Sequence, residues 1–245
     1  MMAFKILIPI VCIFCIINVG DQVNAGFQDF IKDALKTLGV EKGLTNDEIV
    51  KGLKQALEIG TGTAVEMVSK PDGYFKNPLV KIPLPENIKK VEKLLRATGF
   101  GNKVDEFELS MNRAAERATP EAKNIFWDAI KQMTFTDARE ILDGQDDAAT
   151  MYFKDKTSER LQEIFKPITH QAMSEVGTTS YYQSLDAKIK TIPFAADQMS
   201  FDLDQYVTDK ALDGLFLMLA KEEKKIRHDP EAQVTDLLKK VFGSQ

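Results

Sequence analysis

Apolar residues recur at intervals of three and four along almost the whole of this chain. Phe27, Phe30, Ile31, Ala34, Leu35 and Leu38 mark one such face, closed by Gly39. Ile49, Leu53, Ala56, Leu57, Ala64, Met67 and Val68 mark the next. That interval keeps side chains on one face of an α-helix. No stretch alternates convincingly with the two-residue period of a half-buried strand, and no unit repeats at the spacing of a solenoid. The expected fold is therefore all-α: a single bundle-like domain of about eight to ten helices packed on one another.

Punctuation supplies the boundaries. Thr45-Asn46-Asp47-Glu48 has the spacing of a capping box. Gly60 and Gly62 fall inside the helix that follows and mark a bend or a close crossing. Helices are expected over Glu86–Thr98, stopped by Gly99, and over about Lys103–Ala118. Thr119-Pro120 restarts the chain as a cap followed by proline. Thr136-Asp137 opens a short helix that Asp143-Gly144 closes, and a longer one starts near Asp146, with Pro167 kinking or ending it. Shorter helices are expected over Ser180–Ile189 and Thr235–Phe242. The run from Leu212 to Ala220 is apolar around most of its circumference, as in a buried central helix.

Between Lys70 and Pro85 the periodicity stops. Four prolines and a Pro-Asp-Gly turn exclude a helix. This segment is expected to be a long ordered loop, with a short strand at most, strapped over the helices by Phe75, Leu79, Val80, Ile82 and Leu84. It is either a structural tie or a functional loop.

The N-terminus has a different character. After Lys5, residues Ile6–Ile17 carry no polar side chain, a twelve-residue run that suits a signal-peptide core and is short for a bilayer. Val23 and Ala25 place a processing site after Ala25, so residues 1–25 are expected to be a signal peptide and 26–245 the folded protein. Cys12 and Cys15 leave with the leader, so no disulfide or thiol site is expected in the remainder. The expected location is periplasmic or secreted, with no transmembrane span after processing. A net charge of −5 and a pI near 5.3 argue against nucleic acid as a partner.

Familiar catalytic patterns are missing. His170 and His228 lack zinc-ligand spacing, and there is no nucleophile elbow, Walker loop or dinucleotide fingerprint. Asp143–Asp147 lacks the glycine and glutamate of a calcium loop. No catalytic residue, metal or cofactor is assigned. Three polar clusters remain as candidate binding residues: Asn112, Arg113 and Glu116, opposite an apolar stripe; Asp147, Tyr152 and Lys156; and Asp209, Lys210 and Asp213. Asp213 is expected to be partly buried and to need a cationic partner. The run Lys221–Lys225 is expected to be a solvated face.

The segments PDGYFKNPLVKIPLP, VDEFELSMNRAAERATPEAKNIFWDAIKQMT, DDAATMYFKDKT, YVTDKALDGLFLMLAKEEKKIR and TDLLKKVFG together resemble the bacterial family catalogued as domain of unknown function 4197. The resemblance runs from about Leu44 to Gly243. It implies a helical, exported protein of Gram-negative-type bacteria and implies no activity, so no catalytic residues carry over. Asn112, Arg113, Glu116, Asp147, Tyr152, Asp209, Lys210 and Asp213 lie in its motifs.

The leading expectation is a non-enzymatic binding or interaction module. A cleft gated by the loop would hold a hydrophobic small molecule or an envelope protein. One alternative is a carboxylate-dependent hydrolase or lyase of the cell envelope, which requires paired carboxylates in a groove. Another is a structural envelope scaffold whose polar clusters fix helix register.

Overall fold

In the computed structural model the first described helix begins where the sequence provides its cap. Thr45 Oγ1 accepts the Glu48 N–H at 3.2 Å, and the Glu48 carboxylate accepts the Thr45 N–H at 2.9 Å. From this box α1 runs over Asn46–Ser69. The structure describes residues 45–175, 177–191 and 202–242. The expected leader 1–25, its processing after Ala25 and the helix expected over Phe27–Leu38 lie outside them.

Every regular element among the described residues is helical. After the strap, residues 70–85, come α2 (Glu86–Leu95), a wide turn over 96–100 and α3 (Gly101–Ala118). One 3₁₀ turn at Thr119–Glu121 leads into α4 (Ala122–Gln132), then α5 (Phe135–Leu142) and α6 (Ala148–Glu175). The remainder comprises α7 (Thr178–Ile189), α8 (Leu203–His228) and α9 (Asp236–Phe242). The strap contains no strand.

Several boundaries differ from expectation, each for a local reason. Thr134, not Thr136, caps α5, because only Thr134 is three residues before an acceptor, Asp137, that can close the box. Thr119 caps nothing; its hydroxyl donates back to the Ala115 carbonyl at 2.8 Å. Pro167 does not end α6, which continues to Glu175.

The core lies where α8 packs along α6 and α1, with α3 and α4 closing the sides. Bonds from the Ala149 N–H to Glu223 and from Lys166 to Asp202 show that α6 and α8 run antiparallel. Most of Leu212–Ala220 is buried as expected, although Leu217 is 42% exposed. Gly60 is where α1 and α8 approach closely: a Cβ there would lie 3.3 Å from Ile226 Cδ1.

Glu222 and Glu223, expected on a solvated face, are both buried. Glu223 has a specific reason to be there. Its two oxygens accept the Ala149 and Thr150 N–H groups at 2.8 and 2.9 Å, satisfying donors that the start of α6 cannot pair internally. Arg227, one turn on, holds Glu223 at 2.9 Å and donates to the Ile141 and Leu142 carbonyls at the end of α5.

Candidate functional site

The first polar cluster is spent on the strap. Asn112 and Glu116 sit on the face of α3 that this segment covers and are 0% and 4% exposed, so they are not on an outer face opposite the core stripe. The helical stripe could not reveal this, because the covering segment is not helical. Asn112 Oδ1 accepts the Ile82 N–H at 2.8 Å while its amide donates to the Ile82 carbonyl at 2.9 Å. Glu116 Oε1 accepts the Tyr74 and Phe75 N–H groups at 3.1 and 3.3 Å. Arg113 bridges Glu116 and Asp72, both at 2.6 Å. Lys76 and Arg113 hold the Asp72 carboxyl below the usual carboxylate range, and they secure a residue whose backbone is left-handed, with φ 69°.

The strap also inserts a side chain that the sequence reading missed. Tyr74 is fully buried and its hydroxyl donates to the Ala211 carbonyl of α8 at 2.6 Å. Burial pushes its phenol well above the ordinary range. The seat exists because α8 has glycine opposite: a Cβ on Gly214 would lie 2.8 Å from the Tyr74 ring and 3.0 Å from Val80 Cβ. Val80, Ile82 and Leu84 are buried as expected, whereas Leu79 is 51% exposed. Bonded at Asp72, Tyr74, Phe75 and Ile82, and at Pro83 by the Tyr206 hydroxyl, the strap is a tie.

The remaining candidates distribute around α6. Four-residue spacing places Tyr152, Lys156 and Arg160 on one stripe and Lys154, Ser158 and Gln162 on another, about 160° away at 100° per residue. Each stripe walls a cleft. Between α6 and α8 lies a cleft of about 580 Å³ that gathers Asp209, Lys210 and Asp213 with Lys154, Ser158 and Gln162 over Tyr206 and Phe216. On the other flank, a cleft of about 690 Å³ opens between α6, α4 and the start of α5. There Tyr152, Lys156 and Arg160 face Asp128, Gln132 and Asp137.

In the α6–α8 cleft, Asp209 accepts from Gln205 at 2.8 Å and more loosely from Gln162 at 3.4 Å. Lys210 and Asp213 form a 3.4 Å pair, and the Asp213 side chain is 73% exposed. Asp213 is therefore not partly buried. Its helix position points between α6 and solvent, while Gly214 and Leu215 take the core side. Lys154 lies over the Phe216 ring at 5.6 Å. Tyr206 is pushed up to about 12 by burial and by the nearby charges of Glu86 and Glu108.

In the second cleft the Tyr152 hydroxyl donates to the Ala129 carbonyl at 3.2 Å, a group near the end of α4 whose usual partner, the Met133 N–H, bonds to Ile130 instead. Burial, and secondarily the Asp137 charge, raises the Tyr152 phenol. Lys156 pairs with its neighbour Asp155 at 3.1 Å, which raises the Lys156 ammonium. Asp147 is exposed at the start of α6 and lines neither cleft.

The nine candidates thus do not converge. Asn112, Arg113, Glu116 and Tyr152 are engaged in holding the fold, whereas Lys156, Asp209, Lys210 and Asp213 stand in open clefts. Glu223 and Arg227 were missed, although their four-residue spacing beside an apolar run was the available signal. A small apolar cavity among Leu53, Leu57, Ile141, Leu219, Ile226 and Phe242 has a volume of about 20 Å³, room for about one water.

Comparison with known proteins agrees with the motif resemblance. No curated protein and no solved structure matches the chain significantly. The model of the family described as "Protein of unknown function (DUF4197)" matches residues 43–243, a span that contains every described residue, and the chain belongs to that family.

Proposed function

We propose that this protein is an exported, non-enzymatic binding module whose partner is polar and seats on the flanks of α6. The observation that carries this reading is the division of its polar residues. Asn112, Arg113, Glu116 and Tyr152 are consumed by the fold, while Lys156, Asp209, Lys210 and Asp213 line clefts of about 690 and 580 Å³ that remain open to solvent. Such volumes fall within the range of small-molecule sites.

The geometry favours a polar partner over the hydrophobic ligand expected from sequence. A cavity of about 20 Å³ does not take an acyl chain, and a strap bonded through buried Asn112 and Glu116 is poorly suited to gate one. Export rests on the Ile6–Ile17 run and the small residues before Gly26.

The test is NMR mapping of an isotope-labelled chain against neutral, cationic and anionic polar fragments. Shifts are expected to cluster on residues 152–162 and 206–213. Clustering on the strap or α9, or no shifts at all, would reject the reading.

A further inference from the structure

We propose that the cleft between α4, the start of α5 and α6 is a site for a small zwitterion, such as a free amino acid or short peptide. Its carboxylate would lie on Lys156 and Arg160 and its ammonium on Asp128 and Asp137. This rests on reading the flanks of α6 as binding surfaces and assigns one of them a ligand class.

The two walls of this cleft have opposite sign. On α6, Lys156 and Arg160 stand one turn apart. The Arg160 side chain makes no ion pair or hydrogen bond among the described residues. Lys156 has one with Asp155, its sequence neighbour, where both side chains are at least half exposed and the pair is weak. Facing them are Asp128 and Asp137, together with the C-terminal end of α4, whose dipole is negative. Asp128 has a long 3.4 Å pair with Lys131, both well exposed. Asp137 is fixed in place by Thr134, which donates from its N–H and its hydroxyl at 2.8 and 2.7 Å.

The walls interact without touching. The Lys156 charge is felt at Asp137, yet no ion pair joins them. Opposite charges held apart across an open cleft match a ligand carrying both signs in the reverse order. A purely anionic ligand would meet Asp128, Asp137 and the end of α4, and a purely cationic one would meet Arg160. Between the walls, Ile125, Ala129 and Thr157 form a floor of buried groups that suits a small side chain.

The experiment is calorimetric titration of the full chain with alanyl-alanine, its N-acetylated form and its C-terminal amide. The dipeptide is expected to bind, with each capped form weaker by about tenfold or more, because each loses one charge-assisted contact. Arg160→Gln should bring the dipeptide to the level of the amide, and Asp128→Asn to that of the acetylated form. Both residues are exposed, so Tm should be unchanged. Equal binding of all three probes, or no binding of the dipeptide at about 10 mM, overturns the inference. If neutral fragments still shift residues on the flanks of α6, the broader binding reading survives that failure. If nothing shifts there, both fall.

Discussion

Glu223 and Arg227, one turn apart on α8, form an ion pair at 2.9 Å in which each side chain is only 6% exposed. The pair connects two other helices. Glu223 meets the N–H groups at the start of α6, and Arg227 meets the carbonyls at the end of α5. Each charge thus has the sign that its helix end favours. A buried ion pair alone is weak evidence of stabilisation, since desolvation offsets attraction. Here the backbone groups of α5 and α6 satisfy the remaining valences, so the cost of burying both charges is offset at four further hydrogen bonds.

Removing one member should therefore be costly. Glu223→Ala leaves Arg227 buried without its partner and two N–H groups uncapped. It is expected to lower unfolding stability by about 3–5 kcal/mol, with Glu223→Gln lowering it less. Urea denaturation measures both, and a loss below about 1 kcal/mol for Glu223→Ala would mean that water replaces these bonds freely.

Asn112 makes a two-way amide bond with the backbone of Ile82. Asn112→Ala should cost about 1–3 kcal/mol by leaving the buried Ile82 N–H and C=O unpaired. Hydrogen exchange distinguishes a local from a global effect: the Ile82 amide should lose more protection than amides within α8. Equal losses throughout would show that the strap does not open separately.

The same bond shows how far the sequence was legible. Helical periodicity located most of the helices because each carries its own apolar face, and the four prolines marked the strap because they forbid a helix. What covers a helix is not written in that helix. Asn112 and Glu116 looked like polar residues facing away from the core because their covering partner is an irregular segment about 30 to 40 residues upstream. Glu223 looked solvated within a run of charges because its partners, Ala149 and Thr150, are backbone groups over 70 positions away. Asp213 erred in the other direction: proximity to an apolar run did not bury it, since Gly214 and Leu215 turn inward and Asp213 outward. For the candidate site, residue types were legible, but their separation onto opposite flanks of α6 required the packing of α4 and α8.

Exposed Asp213 and Lys210 give a way to separate binding from folding. Their 3.4 Å pair lies in the open, so Lys210→Gln and Asp213→Asn should each change stability by no more than about 0.5 kcal/mol. Fragment-induced shifts in the α6–α8 cleft should nevertheless weaken. Thermal denaturation beside the NMR titration checks both halves, and a large stability loss would place Asp213 in the structural group.

Acid should destabilise the fold through several surface carboxylates. Thr134 holds the Asp137 carboxyl low with its hydroxyl and N–H; His228 and Lys224 hold Asp146 low; the Gln205 N–H and Lys166 hold Asp202 low. Unfolded, these groups titrate near 3.8, so the unfolded chain takes up protons first as pH falls. Their contribution is present above that value and is lost as pH drops through the lower folded values. Urea midpoints should decline below about pH 4, and Thr134→Val should flatten part of that decline. A decline already complete at about pH 6 would show that these carboxylates are not its source.

The strap seats tightly against α8 at a single glycine. Gly214 faces the Tyr74 ring and Val80, and an added methyl would sit 2.8 Å from ring carbon Cε1 and 3.0 Å from Val80 Cβ. Neither neighbour can easily yield. Tyr74 is tied at its hydroxyl to Ala211 and at its N–H to Glu116, and Val80 donates its N–H to the Asn77 carbonyl. Gly214→Ala adds helix propensity of about 1 kcal/mol, which favours the variant. Overpacking against a fixed ring opposes it by about 1–3 kcal/mol. The balance should be a net loss, relieved by Tyr74→Leu in the same chain, which removes the ring that the methyl strikes. A double variant no more stable than the sum of the two single losses would show that Gly214 and Tyr74 are not coupled, and that the strap finds its seat on α8 by some other contact.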